Sequence, residues 1–406
     1  MATPAAVPYD ILDDVFYAIF QAGDSTSMKR CRLANKALAR IGRKHIFHTI
    51  RLKQREGFGH TPHPMGKFLE FVRGSPSITG YIRVLEVLSD ETYNNPGPFE
   101  FLRLVNLTRL ESLSITFGHD DFECQRTWLF NIAPDICSSI EVVLRGNPRI
   151  TSLHMMGMDR IPIDLLLHVP LLQNLSMWKV SPRREDSQKP GMPSMRLRAL
   201  HLRDGCVDFL QYVGGGADYL IDILEVTDLE LDVDTACIEQ RRRIPGLLTI
   251  PRQLESFKIC AIVYGITQET HWASGGKILA SVLSSSTNVR TLRKITTNIK
   301  ISNASDWDPY VGLLPELIRI QGRNALEEIS LYVSCGWNAN LSKDPAVWHE
   351  LDRVLSSGFS HLRRLHLEFD VPEEGGDVLV MDLLEAQLPW CHANLQLTSY
   401  VEVVLI

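Results

Sequence analysis

The sequence predicts an α/β chain in two unequal parts. A small bundle of short helices takes residues 1–56, a linker takes 57–66, and a long run of helix-then-strand units takes 67–406. Three observations carry this reading. Apolar residues at helical spacing open the chain. A Gly- and Pro-rich stretch, Gly57-Phe58-Gly59-His60-Thr61-Pro62-His63-Pro64, then ends that pattern. Beyond it an apolar triplet at i, i+3 and i+5 recurs to the end of the chain.

In the head, Pro8 suits a first helical turn, where its missing N–H costs nothing. Ile11, Leu12, Val15, Phe16 and Ile19 follow at helical spacing, with Asp10, Asp13 and Asp14 near the N-terminal end, where acids complement the helix dipole. Gly23-Asp24-Ser25-Thr26 breaks the helix, and its polar residues offer N-caps to the next. There Cys31, Ala34, Leu38 and Ile41 form one face, and Lys29, Arg32, Lys36, Arg40 and Arg43 the other. Ile46-Phe47 and Ile50-Leu52 supply a third apolar anchor.

The charge is unevenly placed. The whole chain of 406 residues carries a formal net charge of -6. Residues 1–60 hold ten Lys/Arg against five acids, a net of +5, which leaves -11 for the rest. A basic head on an acidic body suits an acidic partner, or is simply a solvated helix face. No basic n-region with a long apolar run opens the chain, and no stretch approaches the ~20 apolar residues that span a bilayer. The eight cysteines are scattered without a Cys-x-x-Cys, as in a reduced cytoplasmic or nuclear protein.

Three segments of the head resemble an F-box. The opening Val7-Pro8-Tyr9-Asp10-Ile11-Leu12, the middle Leu33-Ala34-Asn35-Lys36-Ala37-Leu38 and the tail Ile46-Phe47-His48-Thr49-Ile50-Arg51-Leu52 follow that family's order and spacing. The departures are Val7 for Leu, Asp10 for Glu, and Leu38 where an aromatic is common. The resemblance covers about one eighth of the chain. It implies docking to an acidic adaptor of the Skp1 type, and through it to a cullin complex that transfers ubiquitin. Pro8, Ile11, Leu12, Val15, Phe16, Leu33, Lys36 and Leu38 would supply the adaptor contact. The competing reading is a basic helix-turn-helix over 28–48 on DNA. The acidic body, which phosphates repel, weighs against that, so neither nucleic acid nor membrane is expected as a partner.

The body's triplets are Ile82/Leu85/Val87, Leu110/Leu113/Ile115, Ile150/Leu153/Met155, Leu172/Leu175/Met177, Leu197/Leu200/Leu202, Ile221/Leu224/Val226, Leu254/Phe257/Ile259, Leu326/Ile329/Leu331 and Leu362/Leu365/Leu367. Val289/Leu292 begins another, which Lys294 interrupts. Helical segments are expected between them, among them Lys67–Val72, Ile136–Leu144, Gly276–Leu283, Pro309–Ile320 and Pro345–Leu355. Asp308-Pro309 and Asp344-Pro345 read as N-cap plus first-turn proline pairs, and Gly358 as a residue just past a helix end. A unit of this kind cannot bury its apolar strand face alone, so neighbours must stack. The pattern resembles a leucine-rich-repeat solenoid, with parallel strands inside and helices outside. It departs from the regular family in its long, uneven spacing and in lacking the Asn three residues past each last Leu.

In such a repeat, residues between the paired leucines face outward. His154, Trp178, His201, Arg203, Tyr332 and His366 are the candidates for contact with an unknown protein substrate. His154, His201 and His366 share a rung position, but strand spacing keeps them too far apart to share a zinc ion. Glu230-Leu231-Asp232-Val233-Asp234 alternates acids at strand period, as a calcium or magnesium site can and as a solvated strand face commonly does. Gly214-Gly215-Gly216 lacks the Lys-Ser/Thr of a phosphate loop. No cofactor motif, metal site or nucleophile–base pairing stands out, so the expectation is a non-catalytic substrate receptor. The alternatives are a repeat scaffold with a degenerate head, and an enzyme.

Overall fold

The computed structural model describes residues 9–21, 26–27, 30, 36–54, 64–89, 102–117, 134–183, 194–203, 206–216, 218–234, 243–244, 246–263, 286–301, 310, 313–335, 344–371, 382 and 384–403. They divide into two compact units, Met1–Asn174 with Lys179–Ser187, and Leu175–Trp178 with Gln188–Ile406. Both are α/β, with parallel strands in chain order and helices between them. Pro8, Leu33, Asp308-Pro309 and Gly276–Leu283 lie outside the described residues.

The first unit opens on α1 (Tyr9–Gln21) and α2 (Lys36–Ile46). Phe16 and Ile41 are buried between them, with Leu12, Ile19, Leu38 and Ile46 packed around. Asp13 braces the pair: Lys44 Nζ donates to its Oδ2 at 2.6 Å, and His45 Nε2 lies 2.8 Å from its Oδ1. The Lys44 hydrogen bond, aided by His45, outweighs the effect of burial and holds the Asp13 carboxyl below its usual range.

The chain then enters β1 (Thr49–Gln54), which pairs in parallel with β2 (Val84–Ser89). Ile50 aligns with Leu85 and Leu52 with Val87, so Phe47/Ile50/Leu52 is the first triplet of the sheet. The tail of the expected head is therefore sheet, and the helical part stops at Ile46. The helix α3 (Pro64–Gly74) takes up part of the expected linker. Next come β3 (Ser112–Phe117), α4 (Pro134–Gly146), β4 (Ser152–Ile161) and β5 (Asn174–Pro182). Leu85, Leu113 and Leu153 form one buried rung, and Val87, Ile115 and Met155 the next.

One backbone device recurs at successive strand starts. A single carbonyl accepts two consecutive N–H groups of the following strand. His48 O accepts from Arg83 and Val84, Arg83 O from Glu111 and Ser112, and Glu111 O from Thr151 and Ser152. This keeps the parallel strands flush without an Asn ladder. Asn147 adds a local clasp, its Oδ1 accepting from Leu110 N at 3.1 Å and its Nδ2 donating to Val143 O at 2.8 Å. At Gly157, φ is +73° and a Cβ would meet Phe117 O at 2.3 Å, so no side chain fits there.

In the second unit, β6 (Met195–Arg196), β8 (Val213–Gly214) and β9 (Ile221–Asp222) make a small sheet of their own. This corrects the Ile221/Leu224/Val226 frame. The strand that continues the main sheet is β10 (Asp228–Asp234), whose Leu229 and Leu231 align with Leu200 and Leu202 of β7 (Ala199–Arg203). Asp222, almost wholly buried, accepts from Gly216 N and Leu224 N at 3.1 and 3.0 Å. A Cβ at Gly214 would strike the Tyr219 ring, and Gly216 has φ +94°. The triple glycine thus serves a tight turn.

The main sheet runs on through β11 (Ser256–Val263), β12 (Lys294–Ile301), β13 (Glu328–Cys335), β14 (Arg364–Val371) and β15 (Gln396–Val403). The last of these, β15, pairs in parallel with β14. The triplet begun at Val289 shifts by three. Leu292/Ile295/Thr297 carries the rung, with Ile295 aligned to Phe257 and Ile329, and Lys294 faces the other way. Packed between strands are α5 (Ser286–Thr291), α6 (Leu313–Ile320), α7 (Pro345–Ser356) and α8 (Pro389–Asn394). Asp344 caps α7 by accepting from Ala346 N at 2.9 Å. Trp348 is fully buried against Tyr310 and Phe369, and Tyr310 Oη donates to its carbonyl at 2.7 Å. Among the described residues no helix is long and apolar enough to cross a membrane.

Candidate functional site

Alternation along each strand sorts the second unit's sheet into two faces. Leu229, Phe257, Ile295, Ile329 and Leu365 go inward and are buried. The residues beside them go outward and line up across strands. One outward rung runs His201, Glu230, Lys258, Thr296, Ser330, His366. The rung before it runs Asp228, Ser256, Lys294, Glu328, Arg364, and the rung after it Asp232, Cys260, Asn298, Tyr332, Glu368. From His201 and Arg203 across to Glu328, Ser330 and Tyr332, these rungs wall an open groove of about 440 Å³.

The charges in this groove are layered. Glu230 lies at the bottom, its side chain 4% exposed, yet it is ionised. Arg203 Nη2 reaches its Oε2 at 2.5 Å, and Lys258 Nζ its Oε1 at 2.8 Å. Burial pushes this carboxyl up, but the Arg203 and Lys258 hydrogen bonds outweigh it and hold the group below its usual range. The cations stand above it, Arg203 37% and Lys258 36% exposed. The same layering repeats at Glu328, 13% exposed, which holds both Lys294 and Arg364 at 2.6 Å. The favoured reading of Glu230 as part of a solvated strand face is thus overturned. Neighbouring strands, not water, supply its charged partners.

His201 Nε2 lies 3.1 Å from Asp228 Oδ2. Its hydrogen bond, together with one from Ser256, keeps the Asp228 carboxyl below its usual range despite burial. Hydroxyl, carboxylate and imidazole therefore meet here, but the carboxylate sits in the middle. Nucleophilic activation needs the imidazole between the other two. Cys260 is no better as a nucleophile: burial and the neighbouring Asp232 carboxylate push its thiol up to about 12. The groove's ionisable groups neutralise one another, an arrangement that suits recognition.

Of the sequence candidates, His201, Arg203 and Tyr332 line the groove. His366 packs on Tyr332, ring centroids 4.9 Å apart, and its Nε2 lies 3.2 Å from Glu368 Oε2. His201 and His366 share a rung but lie five strand steps apart, about 24 Å along the sheet. His154 belongs to the first unit, half-buried on β4, and Trp178 is half-buried on β5; neither lines the groove. The sequence reading missed Asp228, Glu230, Lys294 and Glu328 as site residues. A signal was present. The residue just before each strand's first buried apolar side chain reads Asp228, Ser256, Lys294, Glu328, Arg364, a charge alternation visible once the triplets are aligned in their true frames.

In the head, Phe16 is 2% exposed and fills the core of the helix pair, whereas Val15 and Tyr17 are 48% and 55% exposed. Leu12 and Leu38 pack partly against that core. Ile11 and Lys36 lie in α1 and α2. The chain matches no protein-family model, and no curated protein matches it.

Proposed function

We propose that the chain is a non-catalytic substrate-receptor subunit of a cullin–RING ubiquitin ligase, working in the cytoplasm or nucleus. The helix pair docks a Skp1-type adaptor, and the strand-and-helix body, an irregular leucine-rich-repeat-like solenoid, holds a protein substrate. The contribution to ubiquitin transfer is proximity alone. The observation that carries this reading is the state of α1. Its Phe16 is used internally, while the adjacent Val15 and Tyr17 are left exposed, Tyr17 against His45 in the basic last turn of α2 that also holds Arg43 and Lys44. Exposed apolar side chains rimmed by positive charge suit an acidic partner with an apolar centre.

Co-purification of the full chain with a Skp1-type adaptor tests it. Recovery is expected from the intact chain and is expected to fall at least tenfold for the double change Val15→Asp, Tyr17→Asp. Absence of adaptor from the intact chain would sink the reading. It would leave the second one, a repeat scaffold whose head has drifted from the F-box, which the departures Val7, Asp10 and Leu38 favour.

A further inference from the structure

We infer that the groove of the second unit binds an extended acidic peptide, with spaced carboxylate side chains meeting Arg203, Lys258 and Lys294. The charge layering carries this. Each buried carboxylate holds two cations, Glu230 with Arg203 and Lys258, and Glu328 with Lys294 and Arg364. A ligand arriving from outside meets these cations, 36% to 47% exposed along the groove, before Glu230 and Glu328 beneath them, and the one exposed acid there, Asp228, is held by His201. The buried acids fix where the cations stand, so their positions are set before a ligand arrives.

Geometry separates an acidic peptide from a single dense anion. Arg203 and Lys258 lie on strands two steps apart, about 10 Å, and their charged ends converge on Glu230. Lys294 stands one strand further on, and its carboxylate partner is Glu328. Cations spread in this way match carboxylates carried on alternate residues of an extended segment. A phosphate dianion at Arg203 or Lys258 would lie close to Glu230, which repels its double charge more than a carboxylate's single one. Between the cations the wall is neutral and polar, with Ser256, Thr296, Asn298, Ser330 and Tyr332. These side chains offer hydrogen bonds to a peptide backbone. Arg203 also keeps one buried donor, Nε–H, without an acceptor.

The inference rests on the proposed receptor reading only in taking a protein as the ligand. Its test needs no adaptor, so the two can fail separately. The full chain is titrated against three fluorescein-labelled nonapeptides: alternating Glu and Ser, alternating Gln and Ser, and the Gln/Ser peptide carrying one central phosphoserine. Saturable binding of the Glu/Ser peptide alone is expected, weakening as salt rises from 50 to 500 mM. Lys294→Gln is expected to weaken it about fivefold. This variant leaves Arg364 on Glu328, so the fold survives, as the unfolding transition checks. Glu230→Gln should tighten binding, because it removes the acid beneath Arg203 and Lys258. If those cations served only to neutralise Glu230, the variant would gain nothing. Three results would overturn the inference: no saturable binding of the Glu/Ser peptide, equal binding of the Gln/Ser peptide, or a clear preference for the phosphopeptide.

Discussion

The helix pair at the head and the sheet of the second unit solve the burial problem differently. Among the described residues, α1 and α2 bury only Phe16 and Ile41 as apolar side chains of their shared core. The second unit stacks apolar rungs strand after strand and buries Trp348, Tyr310 and Phe369 completely beneath them. At roughly 25 cal/mol per Å² of apolar surface, two side chains and their neighbours give a helix pair little independent stability. The helix pair therefore holds less stability of its own than the sheet does. Stability sits in the inward rungs, and binding is left to surfaces that contribute little to it.

The sharpest way to break this contrast is to strike the two cores separately. Trp348→Ala should cost the second unit about 3–5 kcal/mol, since it empties the space between Tyr310 and Phe369. Urea denaturation should show the main transition moving to lower concentration. Phe16→Ala should leave that transition nearly unmoved and instead loosen α1 against α2, seen as faster amide exchange confined to those helices. Equal shifts of the main transition by both changes would mean that the head and the second unit unfold as one.

A smaller effect falls on the irregular stretch before β10. Asp222→Ala removes the acceptor for two turn N–H groups, Gly216 and Leu224, in a nearly closed site. A loss of about 2–3 kcal/mol is expected. Asp344→Ala, which removes one cap at an exposed helix start, should cost about 1 kcal/mol. If the two changes cost the same in urea denaturation, burial is not what makes Asp222 matter.

These positions also show what could be read from the sequence. Leu326/Ile329/Leu331 and Leu362/Leu365/Leu367 stood in their true frames because every member is apolar and buried. The frame at β12 slipped because Thr297 fills the third buried place, so that a polar residue hid the period. The frame at β10 slipped because Ile221 is buried for a different reason, in the small sheet with β6 and β8. Phe47/Ile50/Leu52 was assigned to the head because it follows a helix. Only pairing with β2 reveals it as strand. The groove failed to show for a non-local reason. Glu230 has the same local pattern as a solvated acid, and Arg203 and Lys258, each more than 25 residues away, decide its burial.

The smallest effect compares the two ionised braces through pH. Asp13 in the head and Glu230 in the groove both have carboxyls held below their ordinary values. Each therefore adds stability that is complete above the ordinary carboxylate range and is lost as pH falls through the lowered folded value. The size differs with exposure. The Asp13 brace is partly open to water, and Lys44 is 52% exposed, so solvent screens it and Asp13→Asn should cost at most about 1 kcal/mol. Glu230 is closed in, and protonating it leaves Arg203 and Lys258 without their shared anion. Amide exchange between pH 6 and pH 3 should thus loosen β7, β10 and β11 more than α1 and α2. Adding 0.5 M salt at pH 6 should weaken the head brace more than the hold of Arg203 and Lys258 on the buried Glu230. If salt loosened both alike, Glu230 would not be shielded in the way its burial implies.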